Sequence, residues 1–94
     1  MLKVLVSCGN GMGSSLLIKN MVASVFKKQG VEATIDHTSV GEATSIAGSY
    51  DVVLCPISFR SQFMENGKTK IVGIQNVLSE SEYTEALKNV GVFN

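Results

Sequence analysis

Leu2-Lys3-Val4-Leu5-Val6-Ser7 runs straight into Cys8-Gly9-Asn10-Gly11-Met12-Gly13-Ser14-Ser15, and a helical pattern begins directly behind. The apolar run reads as a short buried strand and the glycines as a turn. Ser14–Gln29 has helical spacing. Leu17, Met21 and Val25 fall on one row, and Ile18, Val22 and Phe26 on the next. Lys19, Asn20, Ser24, Lys27 and Lys28 take the opposite face. Lysines in the last turn and Gly30 behind it are helix-ending signals.

The alternation continues along the chain. Val31, Ala33 and Ile35 alternate with Glu32, Thr34 and Asp36, which suits a half-exposed edge strand over Val31–Asp36. Ser39-Val40-Gly41-Glu42 fits a capping box, and the helix it opens is expected to run to about Ala47. Asp51–Cys55 is a buried strand, and Pro56 forces a turn after it. Ser58–Asn66 reads as a short helix with Phe59 and Phe63 one turn apart, closed by Gly67. Lys70–Ile74 is the fourth strand. Ser79-Glu80-Ser81-Glu82 is a second capping box. The helix behind it carries Tyr83, Ala86, Leu87 and Val90 at i, i+3, i+4 and i+7, and Gly91 stops it.

Strands alternating with helices predict an α/β fold with a parallel sheet and right-handed crossovers. The edge-like second strand predicts a four-stranded open sheet of order 2-1-3-4, flanked by helices on both faces. This is a flavodoxin-like or low-molecular-weight-phosphatase-like layout. The first and third strands are then neighbours where the winding reverses. Such sheets bind ligands beyond the carboxyl ends of their strands at that point. Cys8 falls there.

Composition bounds the function. The 94 residues fit one domain, residues 1–94. Hydrophobic residues make up 45% with no Trp, so the core must be Val, Ile, Leu, Met and Ala. Net charge is zero, which argues against nucleic acid and against a polybasic membrane patch. No apolar run approaches the roughly 20 residues of a membrane span, so direct insertion is not expected. Met1 leads into a strand without a signal-peptide pattern. The expectation is a cytoplasmic protein with reduced thiols, any membrane association coming through a partner.

The Cys8 loop carries the chemistry. A thiolate is the nucleophilic form of cysteine. The N-terminus of a helix presents about half a positive charge and unpaired N–H groups, which favour thiolate and phosphate alike. Gly9, Gly11 and Gly13 permit left-handed backbone angles, and Asn10 tolerates them. Folded that way, successive N–H groups line one anion-binding concavity. The hydroxyls of Ser14 and Ser15 add donors. A nucleotide phosphate loop requires Lys after its last Gly, and here Ser14 follows Gly13. The dinucleotide fingerprint fails on spacing. A cysteine leading a phosphate-sized nest remains, which points to a phosphocysteine.

On these residues, with the amphipathic helix containing Lys19, the chain resembles the IIB components of the bacterial sugar phosphotransferase system (PTS). The ascorbate type is the nearest branch and the galactitol type a relative. The similarity extends over Asp51-Val52-Val53-Leu54 and Ile71-Val72-Gly73-Ile74-Gln75-Asn76-Val77-Leu78. It implies that Cys8 accepts a phosphoryl group from a phosphohistidine on a IIA protein or domain. Cys8 then passes the group to a sugar, L-ascorbate by the branch, held by the membrane IIC transporter. It implies a phosphate cradle of Gly9, Asn10, Gly11, Met12, Gly13, Ser14 and Ser15. No cofactor or metal is implied: the donor is already activated, and positioning with backbone amides suffices.

Two other readings stand beside it. A low-molecular-weight tyrosine phosphatase shares the strand–Cys loop–helix layout, but resembles Cys-x5-Arg, and Ser14 occupies the Arg position. It also needs a general-acid Asp near the carboxyl ends, whereas Asp51 opens its strand. The second is a non-catalytic anion-binding or signalling module. Elsewhere, Cys55 reads as a buried apolar thiol, with a redox pairing to Cys8 as the sharper alternative. His37, the single histidine, reads as a solvated loop residue after the edge strand, with titration or phosphate acceptance as its alternative. Phe59 and Phe63 read as core caps rather than, with Met12 and Met64, a docking rim.

Overall fold

The computed structural model describes residues 2–8, 14–63, 68–76 and 79–93. Among these residues four strands and three α-helices follow in the order β1 (Leu2–Cys8), α1 (Ser14–Lys28), β2 (Ala33–Ser39), α2 (Val40–Ile46), β3 (Val52–Pro56), β4 (Lys70–Ile74) and α3 (Glu80–Asn89). Two 3-10 segments, Ala47–Ser49 and Ile57–Gln62, flank β3. All strand pairs are parallel and the order is β2-β1-β3-β4, as the sequence pattern predicts.

The β1 run is apolar at successive positions because both of its faces are covered. Val4 and Val6 face one layer, where Ile18, Val22, Val25 and Phe26 of α1 and Tyr83 and Leu87 of α3 pack. Leu5 faces the other, with Val40 and Ala43 of α2, and Val53, Ile71 and Phe63. Both α1 and α3 end on a glycine with positive φ, Gly30 at 71° and Gly91 at 86°. At Gly30 the N–H reaches Lys27 C=O at 3.1 Å and that of Val31 reaches Phe26 C=O at 3.1 Å. This crossed pair of bonds closes the helix and turns the chain into the next strand.

That turn explains why β2 starts two residues later than the alternation predicts. Val31 is still bonded to Phe26, and the β1–β2 ladder opens with Leu2 N–H donating to Glu32 C=O at 3.2 Å. At its far end β2 runs on to Ser39, because the register pairs it with β1 all the way to Cys8. His37 is therefore not a loop residue: it lies within β2, level with Val6, with an exposed side chain.

The expected helix over Ser58–Asn66 is a 3-10 segment, Ile57–Gln62. It starts from an extended Pro56, and extended Phe63 closes it with its N–H on Arg60 C=O. Bonds from residue i to i+3 rather than i+4 make this segment narrower and longer per residue than the expected α-helix. Phe63 is buried and Phe59 packs against the same cluster, so the two cap the core. Met12 and Met64 lie outside the described residues. At the amino edge, Asp51 ties three strands together. Its N–H donates to Lys3 C=O at 2.8 Å and its carboxylate accepts Lys3 N–H at 2.9 Å. Its C=O accepts Lys70 N–H at 2.9 Å.

Candidate functional site

Cys8 is the last residue of β1, and its position follows from the sheet. β1 is an inner strand between β2 and β3. The chain leaves β1 for α1 on one face, and leaves β3 for the Ile57–Gln62 segment on the other. Diverging exits from adjacent strands open the crevice in which open α/β sheets bind ligands. Ser7, one residue earlier, is 2% exposed and its hydroxyl donates to Leu54 C=O at 3.1 Å. That bond fastens the end of β1 to β3 immediately before the cysteine. Sequence patterning gave Ser7 no such role, since a serine in an apolar run carries no sign of its partner.

The predicted cradle residues Gly9, Asn10, Gly11, Met12 and Gly13 lie outside the described residues, as do the side chains of Cys8, Ser14 and Ser15. The described backbone frames them. α1 begins at Ser14, with five residues between it and the end of β1, and has no acidic residue in its first turn. Its N-terminal partial charge is thus not offset by a carboxylate of its own first turn. Lys19 is half-buried on the same helix.

On the other side, Ser39 is level with Cys8 in the β1–β2 ladder and is also the N-cap of α2, its hydroxyl accepting Glu42 N–H at 3.4 Å. The predicted capping box forms by half. Ser39 belongs to the ladder, and the Glu42 carboxylate instead accepts from Thr38 Oγ1 at 3.2 Å. Ser39 is legible in the sequence as a cap, but its place beside Cys8 depends on strand register, which the cap motif does not encode.

Pro56 ends β3, and carrying the Val6↔Leu54 register two residues on brings it level with Cys8. The segment behind it lies close on β4: a Cβ on Gly73 would meet Ile57 Cγ1 at 3.1 Å and Ile57 Cα at 3.3 Å. Gly73→Val is therefore expected to push this segment off the sheet and cost about 1–3 kcal/mol. Urea unfolding measures it, and wild-type stability would show that the segment yields freely.

Cys55 is 2% exposed within the apolar layer of Leu5, Val53 and Ile71. Its thiol lies 3.7 Å from Val72 C=O. Burial pushes its pKa up to about 11, with the charge of Arg60 opposing. A thiol so placed is protonated and inert near neutrality, as the buried-thiol reading expects. Alkylation at pH 8, mapped by peptide mass, should leave Cys55 unmodified in the folded chain; modification at a free thiol's rate would contradict the burial. The sign of the linkage follows. The unfolded thiol ionises near 9 and the folded one near 11, so this contribution is whole below pH 9 and is lost as pH rises towards 11.

The phosphatase reading needs an acid at the carboxyl edge. Asp51 stands at the opposite edge, where both its carboxylate and its backbone are engaged. Arg60, the single arginine, is on the Ile57–Gln62 segment rather than in the Cys8 loop. A surface groove between α1 and β2, lined by Phe26, Lys27, Val31, Glu32, Ala33 and Ile35, is at the other end of β2 from Ser39. Among the described residues no helix is long and apolar enough to cross a membrane.

Comparison with known proteins bears on this geometry. A family model described as "PTS system, Lactose/Cellobiose specific IIB subunit" matches residues 3–89. The chain is 38% identical over 89 residues to the ascorbate-specific PTS system EIIB component of Mycoplasma pneumoniae, covering 95% of this chain and 94% of that protein. It is 27% identical over 88 residues to the protein of the same name from Escherichia coli O157:H7, covering 94% and 87%. The lactose-specific IIB component domain from the phosphoenolpyruvate:carbohydrate PTS of Streptococcus pneumoniae superposes with a TM-score of 0.59 at 22% identity. The match covers 95% of this chain and 93% of that one, and speaks for the fold.

Proposed function

The chain belongs to the IIB family of the sugar phosphotransferase system, and on that premise we propose that Cys8 is its phosphoryl carrier. A IIB component is a phosphotransferase serving sugar uptake, and it works with other proteins of that system. The observation that carries the Cys8 assignment is its place: the end of an inner strand at the carboxyl edge, with the acid-free N-terminus of α1 behind it.

The donor is a IIA protein or domain bearing phosphohistidine. The Cys8 thiolate attacks phosphorus, a P–S bond forms, the P–N bond breaks, and the imidazole nitrogen keeps the electron pair. A hydroxyl of the sugar held by the IIC transporter then attacks. A P–O bond forms, the P–S bond breaks, the thiolate is regenerated, and the hydroxyl proton is released. The backbone amides of Gly9, Asn10, Gly11, Met12 and Gly13, with Ser14 and Ser15, hold the phosphoryl oxygens through both steps. The missing Arg and the distant Asp51 support a slow loss of the group to water.

L-Ascorbate is the proposed sugar, supported by the names of the relatives at 38% and 27% identity. The protein acts on the cytoplasmic side and meets the membrane through the transporter. The test mixes the chain with phosphoenolpyruvate, the general phosphorelay proteins and a matching IIA. Intact mass should rise by one phosphoryl group in the wild type and not in Cys8→Ser; labelling of that variant would overturn the assignment. Discharge of the phosphoprotein by transporter vesicles with ascorbate, but not with galactitol or lactose, tests the sugar.

A further inference from the structure

The turn between β4 and α3 is closed by a carboxylate. Glu82, in the first turn of α3, accepts the backbone N–H of Gln75 on Oε2 at 2.6 Å and that of Asn76 on Oε1 at 2.8 Å. Its own N–H donates to Ser79 Oγ at 3.3 Å, and Ser79 N–H donates to Asn76 C=O at 3.0 Å. An ordinary capping box would send the Glu82 side chain back to Ser79 N–H. Here that N–H is already taken, and the carboxylate reaches three and four residues further back, to Asn76 and Gln75.

Gln75 and Asn76 are the first residues past β4, so the clasp stands at the same edge of the sheet as Cys8. β4 is two strands from β1, about 10 Å at the usual strand spacing. A protein interface of ordinary size covers about 800 Å² on each partner, a patch roughly 30 Å across. A protein that brings a phosphohistidine onto Cys8 therefore covers this turn as well. Both side chains are exposed there. The Glu82 charge, which would repel an incoming phosphoryl dianion, is held against two N–H donors and the N-terminus of α3.

We infer that Glu82 is a positioning residue: it clasps the β4–α3 turn so that Gln75 and Asn76 present their side-chain amides to the protein phosphodonor. The inference rests on Cys8 being the phosphoryl carrier. It is tested by phosphoryl transfer from phosphorylated IIA to Glu82→Ala, Glu82→Gln and the pair Gln75→Ala with Asn76→Ala. Assays run where urea melts show each variant folded. Glu82→Ala should raise KM for phospho-IIA about tenfold, with kcat and the end point of one phosphoryl group unchanged. Glu82→Gln, which keeps an acceptor for one N–H, should recover part of the loss. The amide pair should lose a similar factor, and adding Glu82→Ala to it should cost little more, because the two act through one turn. A wild-type KM in Glu82→Ala, or effects that multiply, would overturn the inference. If Glu82→Ala does not fold, Glu82→Gln and the amide pair decide it by the same criteria. Failure of the Cys8 reading would show separately, as a wild-type chain without label on Cys8.

Discussion

Replacing Cys8 with serine should abolish phosphoryl transfer to the sugar while leaving the fold intact. The thiolate supplies a nucleophile that a serine hydroxyl, protonated and without a base beside it in sequence, does not replace. The relay rate should fall by at least about a thousandfold, the scale seen when a nucleophile is removed from a working site. Stability should change little. The strand end that presents residue 8 is fixed by the Ser7–Leu54 bond and by pairing with Ser39, both made by other atoms. Transfer at more than a few per cent of wild type would mean that the phosphoryl group travels by another residue.

The largest effect on stability should come from Phe26→Ala. Phe26 is 2% exposed, packs edge-on against Phe93 with ring centroids 5.0 Å apart, and lies in the layer joining α1 and α3 to the sheet. Deleting a buried aromatic ring costs about 3–5 kcal/mol. A domain of this size has only about 5–15 kcal/mol in total, and each kcal/mol moves Tm by roughly 4–8 °C. A melting point lowered by some 15–30 °C is expected, with an unchanged urea m-value. A loss below about 1 kcal/mol would show that α1 is not pinned at this point. The consequence reaches the site, because the same helix opens at Ser14 behind the cysteine loop.

The parts of the fold that local chemistry dictates were legible in the residues. Lys70–Ile74 forms a strand with the expected bounds, and α1 starts at Ser14 as its periodicity predicts. Gly30 and Gly91 end their helices because each takes the left-handed angles that a glycine adopts freely. The order 2-1-3-4 followed from one half-exposed strand among three apolar ones. What the residues did not reveal depends on register and on contacts distant in sequence. β2 extends to Ser39, and takes in His37, because β1 continues opposite it. The segment after Pro56 is 3-10 and lies close on Gly73 of β4 through Ile57 and Arg60, a contact distant in sequence.

The site divides along the same line. Cys8, its glycines and the helix behind it form a local pattern that a single chain displays. Ser7, Ser39 and Glu82 hold the surroundings through bonds that a motif does not record. The Ser-x-x-Glu spacing at 79–82 announced a cap, and the cap is present, yet the carboxylate does a different job from the one the motif describes.

Locating the phosphoryl group tests the central claim most directly. After transfer from phosphorylated IIA, the chain is digested at neutral pH and the peptides are fragmented under conditions that keep labile P–S and P–N bonds. The account predicts one phosphoryl group, on Sγ of Cys8. A group found on His37, on a serine of the loop, or on Cys55 would contradict it.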